Sequence, residues 1–477
     1  MEEILQRPRT VVFLGTPFHD VTMGETIDWI GEMVRRGRPG YLVTANLDFA
    51  AQGAGDVELQ RILVEAELVL CDGTPLVWAS RLAGAPLRER VAGSDLVPAL
   101  AERAARTGWR IFLLGGEESS LVGARAALEA RYPGIAVAGT YSPPFAKFHE
   151  MDHADIVRRV REAKPDILLV AFGCPKQEKW IYAHHKELGV PVSVGVGATI
   201  DFLAGKVSRA PDWIGRIGLE WVYRCAQEPR RLAGRYARDI AFLVNQFARE
   251  RRAIFSPRKP AAPPANASDS VRGGAFELVF WKGSLVAGHT ADFPKPAFDR
   301  PFAVDLSGLT EMDGCGLGYL LDIQWLAWRH GVRCCFVAPS AAAAGVLEAT
   351  RIDRLLPLAA GVLEAGAMLE KSGDEAILAP IGDGGTVLIA MPEQVVLASL
   401  EKLSALLANE WENNPRAKVL RMEFAATRFM DSSGLGFLLK CRKAVAAREG
   451  ARMEILHLPP NVRNVISIAK LEPLFGL

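Results

Sequence analysis

In the first half of the chain the apolar residues gather in short unbroken runs, and each run gives way to a polar stretch with helical spacing. The runs at 11–14, 41–44, 68–70, 110–114, 135–138, 167–172 and 192–196 read as strands buried on both faces. Amphipathic stretches such as 23–35 and 120–131 stand between them as helices. Strands alternating with helices predict an α/β fold with a doubly wound, mostly parallel sheet. In such a sheet ligands sit beyond the carboxyl ends of the strands. The stretch from 165 to 235 therefore organises the reading, because its two runs end in polar turns and a Trp- and Arg-rich helical tail follows.

The pattern breaks once. Residues 256–270, SPRKPAAPPANASDS, combine Pro, Ala, Ser and Asn with nothing to bury, as an extended linker does. Behind it the pattern repeats itself. Residues 303–321 align without gaps on 421–439, each copy follows an alternating strand (276–280 and 386–390), and each precedes a strand ending in proline (334–339 and 453–459). The expected organisation is an α/β domain at 1–255, a linker at 256–272, and two small α/β domains of one kind at 273–372 and 380–477.

Length and composition agree with several domains. A chain of 477 residues exceeds one hydrophobic core. With 49% hydrophobic and 23% charged residues it reads as folded protein, and a net charge of +1 gives no indication of nucleic acid as a partner. Seven scattered cysteines without CxxC spacing read as reduced thiols outside any disulfide or metal site. The N-terminus lacks the apolar core of a signal peptide, and no apolar stretch reaches the roughly 18 residues of a membrane span. A cytoplasmic protein with at most peripheral membrane contact is expected.

Three polar clusters fall directly after apolar runs: Thr44 and Asn46, Asp72, and Lys176, Gln177 and Glu178. A carboxylate placed like Asp72 suits two roles, a partly desolvated general base or the cap of the next helix. The run ending at 196 directs Thr199 and Asp201 to the same edge. The Gly115-Gly116 pair could approach a phosphate at a helix N-terminus, although no GxGxxG or P-loop pattern surrounds it. Beyond Lys206, the residues Arg209, Arg216, Arg224, Arg230, Arg231, Arg235 and Arg238 are interleaved with Trp213, Trp221 and Tyr223. Guanidinium groups bind phosphate oxygens bidentately, and Trp and Tyr suit a water–lipid boundary. A solvated basic face over a buried aromatic stripe is the plainer reading.

The segments VTANLDFA, LVLCDGTPLVWASRL, ERVAGSDL, PDILLVAFGCPKQEKWI and VGVGATIDFLAGKVSRAPDWIGRIGLEWVYRCAQEPRRLAGRY resemble the WecG/TagA/CpsF family of bacterial glycosyltransferases, over roughly residues 10–250. The resemblance implies inverting transfer of a sugar, of N-acetylmannosamine or glucose type, from a UDP-sugar donor to a polyprenyl-diphosphate-linked acceptor. It implies work at the cytoplasmic membrane face in cell-surface polysaccharide synthesis, without a cofactor or metal, and self-association as a homo-oligomer. It assigns Asp72 as the base, Thr44 and Asn46 to the donor side, and Arg90 and Gln177 to the remaining active-site positions. Arg224 and Arg231, with Arg235 nearby, fall on arginines that close over the diphosphates, with Arg230, Arg231 and Arg235 as alternatives for those roles and Arg209 and Lys176 as further substrate contacts. The other functional class is a signalling scaffold that binds nucleotide sugar without turnover.

The closing stretch FMDSSGLG with NVRNVISIAKLEPLF resembles the STAS domain of anti-sigma factor antagonists, and residues 274–360 are similar in a more divergent form. The resemblance implies a regulator or kinase as partner and Ser432 as a phosphoryl acceptor at a helix start. In the first copy Gly314 and Cys315 stand at that place, which suits a structural or constitutive contact surface.

Overall fold

A computed structural model describes residues 7–206, 220–227, 229–254, 267–273, 276–293, 295–370, 386–412 and 414–477. The chain opens with β1 (Thr10–Phe13) and β2 (Thr16–His19), an antiparallel hairpin in which every residue is buried. The run expected at 11–14 is thus a strand, but it stands apart from the main sheet. Leu14 and Gly15 adopt φ of 53° and 68° and turn the chain straight back, where a parallel strand would need a helical crossover.

The main sheet has six parallel strands: β3 (Gly40–Ala45), β4 (Leu68–Cys71), β5 (Arg110–Gly115), β6 (Ala136–Tyr141), β7 (Ile167–Ala171) and β8 (Val192–Gly195). Their order is β4-β3-β8-β7-β5-β6. Helices cover both faces: α1 (Met23–Arg36), α2 (Leu47–Gly53), α3 (Val57–Glu65), α4 (Thr74–Leu82), α5 (Gly93–Thr107), α6 (Glu118–Arg131), α7 (His153–Ala163), α8 (Lys176–Leu188) and α9 (Thr199–Leu203). Alternate residues of β3, β4, β5 and β7 feed two separate cores. Val43, Val69, Leu168 and Val170 join one, while Leu42, Leu68, Leu70 and Leu169 join the other. This two-faced burial is why the strands read as continuous apolar runs. Two further helices, α10 (Glu220–Gln227) and α11 (Pro229–Ile254), complete the unit, and α11 lies against α2.

The two repeats fold alike. In the first, β9 (Ala267–Gly273) pairs antiparallel with β10 (Phe276–Leu285), which is followed in parallel by β11 (Phe302–Met312), β12 (Cys334–Val337) and β13 (Leu358–Ala359). Residues 267–272, expected in the linker, are therefore an edge strand. Their backbone pairs with β10 while the side chains of 269–272 are exposed, which leaves no apolar period to read. The helices of this copy are α12 (Gly314–Arg329), α13 (Ala341–Thr350) and α14 (Val362–Glu370).

In the second copy β14 (Thr386–Ala390), β16 (Val419–Glu423) and β18 (Arg452–Leu456) form a parallel sheet, with the short pair β15 (Gln394–Val395) and β17 (Phe429–Met430) beside it. Its helices include α15 (Leu397–Leu406), α16 (Ser432–Ala446) and α17 (Pro460–Ile468). The gapless repeat has a common geometry. The Asp313 carboxylate accepts from the N–H groups of Cys315 and Gly316 at 2.9 Å, and Asp431 accepts from Ser433 and Gly434 at 2.9 and 3.0 Å. Each aspartate caps the helix it opens.

Candidate active site

Strand ends bring the predicted polar residues together. β3 carries Thr44, whose hydroxyl donates to the Gly195 carbonyl at 3.2 Å and ties the end of β3 to that of β8. Asn46, exposed just beyond β3, accepts from the Phe49 N–H at 3.1 Å and so caps α2.

β4 delivers Asp72, half-buried, whose N–H donates to the Ala45 carbonyl at 2.9 Å. The helix that follows takes no side-chain cap from Gly73, the residue at its N-cap. The Asp72 carboxylate turns instead toward α5 and accepts from the Gly93 N–H across 3.4 Å. Ala92, at the N-cap of α5, offers no side-chain acceptor, so this carboxylate faces the positive end of a 15-residue helix. Burial, with Asp72 beside it, pushes the Cys71 thiol well above the ordinary range. The charge of Arg90 also reaches Cys71, and Arg90 is ion-paired to Asp95 on the first turn of α5.

Two glycines mark where the groups converge. A Cβ on Gly93 would lie 3.5 Å from Thr44 Oγ1 and 3.7 Å from Thr199 Oγ1, so Asp72, Thr44 and Thr199 surround one small residue. A Cβ on Gly195 would lie 2.6 Å from both Gln177 Nε2 and Glu178 Oε1, closer than atoms can approach. Gln177 is therefore pressed against the same strand end that Thr44 binds.

The chain enters α8 through Gly173, whose φ of 80° favours glycine. The Gly173 N–H donates to Gln177 Oε1 at 3.1 Å, and Gln177 Nε2 donates to Glu178 Oε1 at 2.6 Å. Both polar ends of the carboxamide are thus fixed. Burial raises the Glu178 carboxyl to about 8, and its second oxygen has no partner among the described residues. Lys176 donates to the Ala146 carbonyl at 3.2 Å and lies over the rings of Phe145 and Phe172, with burial lowering its pKa. Phe145 is 97% exposed.

Asp201 accepts from the Ser120 hydroxyl at 2.6 Å, which anchors α9 to α6. Gly115 is required by packing, because its Cβ would meet the Phe172 ring at 2.6 Å. Arg209, Trp213 and Arg216 lie outside the described residues. Arg224 falls on α10 and Arg231 on α11, with their side chains also outside the description. Arg235 lies on α11, its guanidinium 5.1 Å over the Tyr236 ring and its Nε buried without a hydrogen-bond partner among the described residues. It acts on Asp239, whose carboxyl burial raises to about 6 against Asp48 of α2. Arg235 therefore stands beside the helix that Asn46 caps.

Sequence reasoning missed a second cluster on α3. Glu58, 1% exposed, accepts from both the N–H and the hydroxyl of Ser432 at 2.7 Å. Lys179 of α8 pairs with Glu58 at 2.7 Å and with Asp56 at 2.8 Å. In the first repeat the matching residue, Gly314, meets the Val12 carbonyl of β1, 2.1 Å from where a Cβ would stand. Both repeats thus touch the α/β domain through the start of the same helix. A Glu whose partner Ser432 lies 374 positions away carries no local signal in the sequence.

Among the described residues no group of His, Cys, Asp and Glu is placed to hold a metal ion, and no helix is long and apolar enough to cross a membrane.

Comparison with known proteins matches residues 11–255 to the glycosyl transferase WecG/TagA/CpsF family and residues 244–365 and 380–477 to the STAS domain. One relative is an N-acetylglucosaminyldiphosphoundecaprenol N-acetyl-beta-D-mannosaminyltransferase of Bacillus spizizenii, 31% identical over 196 residues, which is 41% of this chain and 74% of that protein. An enzyme of the same name from Staphylococcus aureus strain MW2 is 28% identical over 246 residues, 51% of this chain and 94% of its own length. The segments around Asp72 and Gln177 lie inside the matched region, and the chain belongs to the WecG/TagA/CpsF glycosyltransferase family, with STAS domains following its catalytic unit.

Proposed function

We propose that the protein transfers a hexosyl or N-acetylhexosaminyl group, of the N-acetylmannosamine or glucose type, from a UDP-sugar to a polyprenyl-diphosphate-linked saccharide, with inversion. The observation that carries the reading is the Asp72 carboxylate at the end of β4, grouped with Thr44 and Thr199 around Gly93. The names of the relatives, which act on a diphosphoundecaprenol-linked sugar, support the acceptor class.

In this mechanism Asp72 takes the proton of the acceptor hydroxyl as that oxygen attacks the anomeric carbon in line with the departing diphosphate. The α5 N-terminus favours its charged form. Thr44, Asn46 and Gln177 orient the donor sugar, and Arg90 stands beside them. Arg224, Arg231, Arg235 and Arg209, with Lys176, neutralise the diphosphate, a role that guanidinium groups fill without a metal. Exposed Phe145 and the arginine-rich helices suit work at the inner face of the cell membrane. The STAS pair serves as the regulatory part, and Ser432 is the hydroxyl that a kinase would modify once its contact with Glu58 is released.

The test is UDP release with a panel of UDP-sugars and a short-chain polyprenyl-diphosphate-linked N-acetylglucosamine acceptor. Acceptor-dependent release carries the reading. UDP binding without release would mean a signalling scaffold instead.

A further inference from the structure

The C-terminal STAS domain is held against the transferase by a set of contacts centred on α3. Glu58 supplies both carboxylate oxygens to Ser432, one to the backbone N–H and one to the hydroxyl, each at 2.7 Å. Around this pair Asn464 of α17 donates to the Gly55 carbonyl at 3.0 Å and accepts from the Val57 N–H at 3.3 Å. Arg61 lies 3.9 Å over the Phe429 ring and donates to Gln394 at 2.9 Å. Every one of these partners belongs to α3 or the turn before it.

The transferase side of that helix leads to the candidate active site. A carboxylate as buried as Glu58 requires compensation, and it has two sources: the N-terminus of α16 and the ammonium group of Lys179. Lys179 lies on the first turn of α8, two residues after Gln177 and one after Glu178. When the STAS domain leaves, Glu58 gains water and loses the helix dipole, so its hold on Lys179 weakens. The turn that fixes the Gln177 carboxamide rests on the same helical turn as Lys179.

We propose that the docked C-terminal STAS domain positions the active site from outside, through Ser432, Glu58 and Lys179 to the first turn of α8. Glu58 and Lys179 are positioning residues, since neither touches the space around Gly93. The partner that fits the α3 surface is this chain's own α16 N-terminus, an N–H and a hydroxyl meeting a buried carboxylate. A negative charge added at Ser432 faces Glu58 directly and releases the domain. The effect on turnover rests on the proposed transferase function, whereas the coupling of the two surfaces does not.

The experiment compares the full-length chain with Ser432→Asp, Ser432→Ala and Glu58→Ala by hydrogen exchange and by sugar transfer. In Ser432→Asp and Glu58→Ala, exchange rises together in peptides covering 55–60, 431–436 and 173–181. kcat falls at least fivefold in both, while Ser432→Ala, which keeps the backbone N–H on Glu58, behaves as wild type. Glu58→Ala leaves the STAS sequence intact, so a folding defect of Ser432→Asp does not decide the result. Release of 431–436 with 173–181 still protected overturns the coupling, as does failure of both variants to release the domain. Absence of transfer by the wild-type enzyme counts against the proposed function alone, and the exchange pattern still decides the coupling.

Discussion

The Asp72 carboxylate serves the helix one further along the chain: it accepts from the Gly93 N–H across 3.4 Å while α4, directly after it, has no side-chain cap. The contact to Gly93 sets this carboxylate at the N-terminus of α5. Asp72→Asn keeps an acceptor for Gly93 and removes the base. Turnover is expected to fall by at least about a hundredfold, the lower range for general base catalysis, with the melting temperature within a few degrees of wild type. Steady-state kinetics beside a thermal melt check this, and near-normal kcat in the variant rules Asp72 out.

Gly93 offers a different probe of the same space. A Cβ there makes ordinary contacts at 3.5 and 3.7 Å, so Gly93→Ala folds, but its methyl group stands between Thr44, Thr199 and Asp72. The donor KM is expected to rise about tenfold or more, equivalent to some 1.4 kcal/mol of binding. Gly195→Ala contrasts with it. Its methyl group collides at 2.6 Å with Gln177 and Glu178 and is expected to cost about 1–3 kcal/mol of stability as well as activity. Equal melting temperatures for the two variants would contradict the packing described.

The pH dependence of stability has a worked sign. Burial raises Glu178 to about 8 and Glu250 to about 7, and burial beside Glu58 raises Asp431 to about 7. The folded state holds these protons more tightly than the unfolded chain. Their contribution is full below the ordinary carboxyl range and is lost as pH rises toward 8. His184 works oppositely: burial lowers it to about 4, so its contribution is present above 6.5 and lost as pH falls below that. Between pH 6.5 and 8 only the acid losses remain, and the melting temperature falls across that window. Glu178→Gln, which keeps the acceptor for Gln177, flattens the decline. A melting temperature that climbs from pH 6.5 to 8 would contradict the burial of these acids.

Ser432, the proposed phosphoryl acceptor, is covered by the transferase domain. Its hydroxyl donates to Glu58 at 2.7 Å, so a kinase needs the released form. Phosphate incorporation from ATP with a cognate kinase, read by mass spectrometry, is expected to be several times faster in Glu58→Ala than in wild type. Equal rates would mean that the contact does not shield the hydroxyl.

Much of this was legible before any coordinates. Strands buried on both faces announce themselves as runs, which is why β3 to β8 and the polar residues at their ends fell where expected. The two repeats were visible as a gapless alignment of Asp313 on Asp431, and the structure shows that both aspartates cap alike. The remainder depends on contacts distant in sequence. The Leu14–Gly15 turn detaches β1 from the sheet, Gly93 lies twenty-one residues beyond Asp72, and Glu58 reaches Ser432 across 374 positions. β9 escaped notice because residues 269–272 are exposed, so the strand shows no apolar period.

The central claim is that an acid at the sheet edge activates an acceptor hydroxyl while arginines neutralise the diphosphate. The most direct measurement is UDP release from UDP-N-acetylmannosamine and UDP-glucose with the polyprenyl-diphosphate-linked acceptor, in the presence of EDTA, for wild type and Asp72→Asn in parallel. The account predicts acceptor-dependent release by the wild type that EDTA leaves unchanged and that disappears in the variant. Release that EDTA abolishes, or that persists in Asp72→Asn, would contradict it.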